Sequence, residues 1–278
     1  MTLLNKIVLI TFFSIAYQLS SAQQNLMDFD NSIKFARYLS TTQQLNFAAQ
    51  EYERLNYIWP NDSLVTFELV QTYRLNKQCE KIDYSFDLFS KQGSLLKNDD
   101  FAREYLRFSL TCRIEDGNYF NLISQLESEE KVFFTTSYFW INKKYDSLFN
   151  YYSKEKELLA HANINLHDVT KSFSEQKYKS PILASLMSTV IPGSGKAYVN
   201  RWGDAFVSFL FIGTNSYASY RAFKKKGVNS VNGWIFGSLA FSFYSANIWG
   251  SAKAAKNYNN KQKEIYQLNA ENIIYNSY

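Results

Sequence analysis

Apolar residues in the first half of the chain recur at the spacing of an amphipathic helix. They fall on one face of a 3.6-residue period in 47–55 and again in 148–152, without a sustained strand-like alternation. Helix-breaking stretches at 59–63, 91–94 and 115–118 divide this half into short segments. The pattern therefore predicts a series of short helices and an all-α fold.

These helices are expected to recur in pairs. A shift of 34 residues aligns Ala48 with Ile82 and Tyr52 with Phe86, and a similar pattern recurs in 145–152. A period of this size is typical of helical hairpins that stack into a solenoid. We therefore expect a helical-hairpin repeat domain.

On these positions, and with Pro60 closing one unit, the region 23–175 resembles the tetratricopeptide repeat family, although most first helices lack the family's usual glycine. The resemblance implies a right-handed stack of helix pairs whose concave face binds a peptide or another protein. It implies no catalysis. An ordinary helical bundle without a binding groove is the alternative.

The second half of the chain contains two long runs without a charged residue, 205–220 and 227–251. With their flanks, at about 203–222 and 228–250, they approach the ~20 residues that a membrane-spanning helix needs. We predict a C-terminal α-helical membrane hairpin in which small and polar residues pack between the spans. The residues expected to make this packing are Asn215, Asn247 and Gly250. The alternative is the buried helical core of a soluble domain.

A shorter apolar segment, 181–193, precedes the two runs and ends in Pro-Gly. Its length favours a shallow interfacial or re-entrant helix over a full crossing. The membrane module is thus expected at 176–260, followed by a tail at 261–278.

The first 22 residues have the features of a secretory signal peptide: Lys6, an apolar run and small residues before Gln23. The alternative is a buried N-terminal helix or an uncleaved anchor. Net charge is −5 over 23–176 and +9 over 177–278. A C-terminal half that is both basic and apolar favours a lipid bilayer, and export argues against nucleic acid as a partner. We expect the bacterial inner membrane, with the N-terminal domain in the periplasm.

The stretch "IPGSGKAYVNRWGD" contains a Gly-Ser-Gly-Lys sequence that resembles a phosphate-binding loop. That loop requires a glycine where Val190 stands and a hydroxyl where Ala197 stands, so nucleotide binding is not expected. We predict instead a membrane turn, in which Pro192 and Gly193 end the shallow helix and Gly195 allows close backbone approach. The basic residues of this stretch are expected at lipid head groups, and its aromatic residues at the interface.

The same region is similar to a family of short bacterial hydrophobic modules that carry S-P-x-x-A, P-G-x-G-x-x-Y, a G-D pair and N-x-x-G. The resemblance implies no assigned reaction. The matching residues are Pro192, Gly193, Gly195, Tyr198, Gly203, Asp204, Asn247 and Gly250.

Candidate catalytic chemistry is sparse. Cys79 and Cys112 are expected to form either a disulfide or two buried thiols. His161 and His167 are six residues apart and face different sides of a helix, so they are not expected to form a metal site. No cofactor and no enzyme activity are predicted. The sequence favours a membrane-anchored envelope protein whose repeat domain is a scaffold for another envelope protein. The alternative is that the membrane module itself assists transport or assembly of an envelope component.

Overall fold

A computed structural model describes residues 27–60, 62–91, 99–113 and 117–277. Every regular element in these ranges is a helix, which confirms the predicted all-α class. The predicted signal peptide at 1–22 lies outside the described residues. The chain divides into two compact units, 1–138 and 139–278, which are called the first and the second unit below.

The first unit contains seven short helices in the described ranges. Asp28 and Asp62 cap two of them, because each side chain accepts a hydrogen bond from the backbone N–H three residues later, at 2.8 and 2.9 Å. A short 3₁₀ turn, Cys79–Lys81, leads into α4, and the last residues of α7 belong to the second unit. The helices are α1 (Phe29–Thr41), α2 (Leu45–Ile58), α3 (Ser63–Leu75), α4 (Ile82–Lys91), α5 (Asp99–Cys112), α6 (Gly117–Ile123) and α7 (Ser128–Ile141).

One turn geometry recurs at the ends of α1, α3 and α7. Gln43, Lys77 and Lys143 have left-handed backbone conformations, with φ of 61°, 54° and 56°. After each of them, the next N–H donates to the carbonyl five residues earlier, which is the Schellman termination of a helix. Arg113, after α5, is left-handed as well, so these residues follow one another at 34, 36 and 30 positions. These four helices therefore each end in a left-handed residue other than glycine, at spacings of 30 to 36 residues. The stack of helical hairpins itself stays a prediction.

The positions aligned by the 34-residue shift form part of the core of the first unit. Ala48, Tyr52 and Ile82 are buried, and Phe86 packs its ring against Tyr105 at a centroid distance of 5.2 Å. Neighbouring helices α1, α2 and α3 pack in chain order. The apolar period thus identified the inward faces of these helices.

A disulfide bond joins Cys79 to Cys112, whose Cα atoms are 5.5 Å apart. The sequence left a disulfide and two buried thiols open, and the structure selects the disulfide. It connects the turn before α4 to the end of α5. Such a bond is typical of proteins in oxidising compartments.

The second unit is built around α13, a continuous helix of 46 residues and therefore about 69 Å long. Helix α13 packs against α9, α10 and α12. The segment 261–276, expected to be a tail, continues this helix, and Ala270 and Ile274 on it are fully buried. The helices are α8 (Tyr145–Ala162), α9 (Ile164–Ser174), α10 (Pro181–Val190), α11 (Ser194–Tyr198), α12 (Trp202–Lys226) and α13 (Val231–Asn276), with a 3₁₀ turn at Gly227–Asn229.

Helices cover both of the expected membrane spans. Residues 203–222 lie within α12, and residues 231–250 lie within α13, so the two form a helical hairpin. Within the described ranges, however, no helix has both the length and the apolar character needed to cross a membrane. The expected pair of crossings is therefore not supported by hydropathy.

Candidate functional site

The segment 191–201, called the glycine turn below, is held by two glycines that cannot be replaced without a clash. Gly193 has a φ of 89°, and a Cβ atom there would lie 2.2 Å from the carbonyl oxygen of Ala205. A Cβ on Gly195 would lie 1.9 Å from the carbonyl oxygen of Ala184. Gly195 thus provides the close backbone approach expected of it, and it brings α11 against α10.

Two buried serines bind the glycine turn to α10 and α13. The backbone N–H of Gly195 donates to the Oγ of Ser188 at 3.0 Å. The hydroxyls of Ser188 and Ser251 lie 2.7 Å apart, and both residues are fully buried. These serines were not among the predicted packing residues, although their position among small residues is the usual signal of close helix packing.

Tyr198 lies at the edge of a small apolar cluster instead of standing free in the turn. The cluster contains Ala184, Val199, Ala254 and Ala255, and Tyr198 packs against it. The ammonium group of Lys179 also lies 4.5 Å from the centre of the Tyr198 ring. These contacts connect α10, the glycine turn and α13.

The remaining residues of the turn motif lie closer to solvent. Pro192 is half-buried just after the end of α10. A Cβ on Gly203 would meet nothing within 4 Å, so close packing does not require a glycine there. Asp204 is exposed in the first turn of α12, where a carboxylate favours the helix dipole, and it forms a 2.5 Å ion pair with Arg201.

The three residues expected to pack between the spans have different environments. Asn215 does not bond across the interface, because its Nδ2 donates to the carbonyl of Phe211 on the same helix at 2.7 Å. Asn247 is buried at the interface, and neither its Nδ2 nor its Oδ1 has a hydrogen-bond partner among the described residues. Gly250 lies against the side chain of Lys196, whose Cε would be 3.8 Å from a Cβ on this glycine.

The polar contact between α12 and α13 comes from a residue that the sequence analysis missed. Ser219 donates its hydroxyl hydrogen to the carbonyl oxygen of Gly233 at 2.8 Å, and it is buried. A Cβ on Gly233 would lie 2.6 Å from the ring of Phe223, so a small residue is needed there too. Serine and glycine recur throughout the two runs, and the sequence pattern alone does not show which of them face inward.

Large apolar side chains cover the outside of the hairpin. Each of them is more than a third exposed. They are Trp202, Phe206, Val207, Phe209, Leu210, Phe211, Tyr217 and Tyr220 on α12, and Val231, Trp234, Ile235, Phe236, Leu239, Phe241, Phe243 and Trp249 on α13.

The described parts of the chain show no cluster of three or more His, Cys, Asp or Glu side chains arranged to hold a metal ion. His167 donates from its Nδ1 to the carbonyl oxygen of Lys156 at 3.0 Å and packs against the ring of Tyr152. Comparison with family models, curated proteins and solved structures finds no match to this chain.

Proposed function

We propose that this chain is an exported, membrane-anchored protein of the bacterial inner membrane. In this proposal the hairpin of α12 and α13 seats its outer surface in the lipid bilayer. The first unit lies in the periplasm as a scaffold for another envelope protein. The observation that carries the proposal is the distribution of side chains on the hairpin.

The hairpin has small and polar residues inside and large apolar residues outside. Its buried residues are mostly small or polar, such as Ser219, Gly233, Ala240 and Asn247, with Ile212 as a larger one. Rings such as that of Phe241, 71% exposed, point outward. In a water-soluble helical protein the large apolar side chains are the buried ones. An apolar surface this extensive requires an apolar partner, and close packing through small residues is typical of helices in lipid.

Charge along the hairpin agrees with a bilayer as that partner. On α12, 16 residues from Ala205 to Tyr220 are uncharged, which corresponds to about 24 Å. On α13, 22 uncharged residues precede Lys253, corresponding to about 33 Å. Both lengths are close to the ~30 Å hydrocarbon thickness of a bilayer, and basic residues follow at the ends. The mean hydropathy of either helix combines this apolar outer face with the polar inner face. The proposed membrane anchor therefore depends on the outer surface of the hairpin and not on the mean.

Two features of the first unit support the rest of the proposal. The disulfide between Cys79 and Cys112 suits the oxidising periplasm. Aromatic side chains stand exposed on α1 and α2, among them Tyr38, Phe47 and Tyr57. Exposed aromatic residues are enriched at protein interfaces, so these helices are the proposed contact surface.

Flotation with lipid vesicles tests the membrane anchor. We expect the purified full chain to float with phosphatidylcholine vesicles, because the outer surface of the hairpin partitions into lipid. A variant with Phe209→Ser, Leu210→Ser and Phe241→Ser should float at least tenfold less.

The matched control replaces three exposed rings of the first unit, Phe35→Ser, Tyr38→Ser and Phe47→Ser, and should float like the wild type. Each set removes three exposed large apolar side chains, so a general loss of hydrophobicity would affect both. A wild-type chain that stayed in the aqueous fraction without detergent would refute the anchor.

Photocrosslinking in cells tests the scaffold. A photoreactive amino acid at Tyr57, 87% exposed on α2, should form an adduct with one discrete envelope protein. The control position is Asp100 on α5, whose side chain is 74% exposed, and it should give no such adduct. If neither Tyr57 nor Phe47 yields a discrete adduct, the scaffold assignment is wrong.

A further inference from the structure

A cavity of about 280 Å³ lies between α11, α12 and α13. One part of its wall is polar and the other is apolar. The polar residues are Lys196, Ser208 and Asn247, and the main apolar residues are Val207, Phe211 and Phe243.

Lys196 supplies a cation to this cavity. Its side chain extends across Gly250, and its Nζ donates to the Oγ of Ser208 at 2.7 Å. Ser208 donates its own hydrogen to the carbonyl of Asp204, so it serves the lysine as an acceptor. The carboxylate of Asp204 pairs with Arg201, and no carboxylate of the described residues pairs with Lys196. An ammonium group has three donors, so Lys196 retains donors and an uncompensated charge.

Asn247 supplies a donor and an acceptor that lack partners. It is only 3% exposed, and both atoms of its amide are without a hydrogen bond in the described structure. Leaving a buried polar group unpaired costs stability, because the group has lost its hydrogen bonds to water. A bound molecule that forms hydrogen bonds with both atoms would remove this cost. Asn215 differs, because its Nδ2 already donates to a carbonyl on its own helix.

We propose that this cavity binds the phosphate head group of an anionic lipid. An anionic oxygen accepts from the ammonium of Lys196. The amide of Asn247, whose two polar atoms are closed to solvent in this structure, turns toward the head group, so that its Nδ2 donates to an anionic oxygen and its Oδ1 accepts from a head-group hydroxyl. The apolar wall at Phe211 and Phe243 receives the start of the acyl chains. The lipid as source rests on the proposed membrane anchor, because free phosphate would offer the same oxygens.

Calorimetric titration of the full chain in a non-ionic detergent tests the site without requiring insertion into vesicles. The probes are dioctanoyl phosphatidylglycerol, dioctanoyl phosphatidylcholine and inorganic phosphate. We expect the anionic lipid to bind at least tenfold more tightly than the zwitterionic lipid. Inorganic phosphate should not compete at concentrations near the dissociation constant of the lipid, because it lacks the apolar contact.

Three variants assign the binding to this cavity. Lys196→Gln and Asn247→Leu should each weaken phosphatidylglycerol binding at least tenfold. Lys253→Gln should leave it unchanged, because Lys253 is an exposed lysine beside Trp249 and does not line this cavity. Circular dichroism checks that Asn247→Leu remains folded, and Lys196→Gln decides the assignment if it does not.

The outcomes separate the two proposals. Equal binding of the two lipids, or Lys196→Gln binding like the wild type, would overturn the head-group site. Tight binding of inorganic phosphate would replace it with a free-phosphate site. A chain that floats with vesicles yet shows no preference between the lipids would retain the anchor and lose the site. A chain that prefers the anionic lipid in detergent but does not float would retain the site and lose the anchor.

Discussion

Replacing Glu104 by alanine should lower the free energy of unfolding of the first unit by about 3–5 kcal/mol. Glu104 on α5 is fully buried, and its carboxylate lies 2.5 Å from the Nε of Arg74 on α3, whose side chain is 9% exposed. Burial raises the pKa of the Glu104 carboxyl, although the guanidinium groups of Arg74 and Arg107 act in the opposite direction. Without the carboxylate, Arg74 loses its ion pair with Glu104 while its guanidinium group stays buried.

Urea unfolding followed by circular dichroism measures this effect. The control is Glu130→Ala, which removes a more exposed partner of Arg103, and exposed pairs contribute only about 0–1 kcal/mol. The double change Glu104→Leu with Arg74→Met should recover much of the loss, because it removes both charges together. Equal unfolding midpoints for Glu104→Ala and Glu130→Ala would contradict the prediction.

Replacing Gly195 by alanine should destabilise the second unit by about 3 kcal/mol or more, at or above the upper end of the usual cost of overpacking. The added Cβ would meet the carbonyl oxygen of Ala184 at 1.9 Å. That atom belongs to the backbone of α10 and cannot rotate away, so the two helices must separate. Separation would also break the bond from the Gly195 N–H to Ser188.

Tryptophan fluorescence during denaturant unfolding in detergent is the suitable measurement, because four of the five tryptophans lie in the second unit. Gly203→Ala is the matched control: it lies in the same motif, and its Cβ would meet nothing within 4 Å. We expect this control to unfold at the wild-type midpoint or slightly above it. Indistinguishable midpoints for the two alanine variants would show that α10 and α11 accommodate the methyl group.

The sequence predicted the helices of this protein well, because helix formation depends on a local apolar period. The buried positions Ala48, Tyr52 and Ile82 were found from that period alone. The turn at Gly193 could also be predicted from local sequence. This glycine comes directly after a proline at the end of an apolar helix, which indicates a sharp turn, and its φ is positive. Such features need no knowledge of which helices meet.

The sequence did not predict the features that depend on which distant helices pack together. Asn215 and Asn247 look alike in sequence, yet only Asn247 is buried, because the relative rotation of α12 and α13 decides which face is inward. The sequence permitted a bond between Cys79 and Cys112, but the choice between bond and thiols required the end of α5 to meet the turn before α4. The cavity at Lys196 likewise needs three helices in position.

Because α13 is one continuous helix, the number of residues between two of its surfaces determines the angle between them about the helix axis. Its first half carries the outward rings of the hairpin, and its second half carries Gln267, which donates to the carbonyl of Trp140 at 2.9 Å. Each residue turns a helix by about 100°, so a single insertion between these halves would rotate one surface by that angle against the other. An insertion or deletion between the two surfaces would therefore be tolerated only if its length is close to a whole number of helical turns, because only then do both surfaces keep their directions about the helix axis.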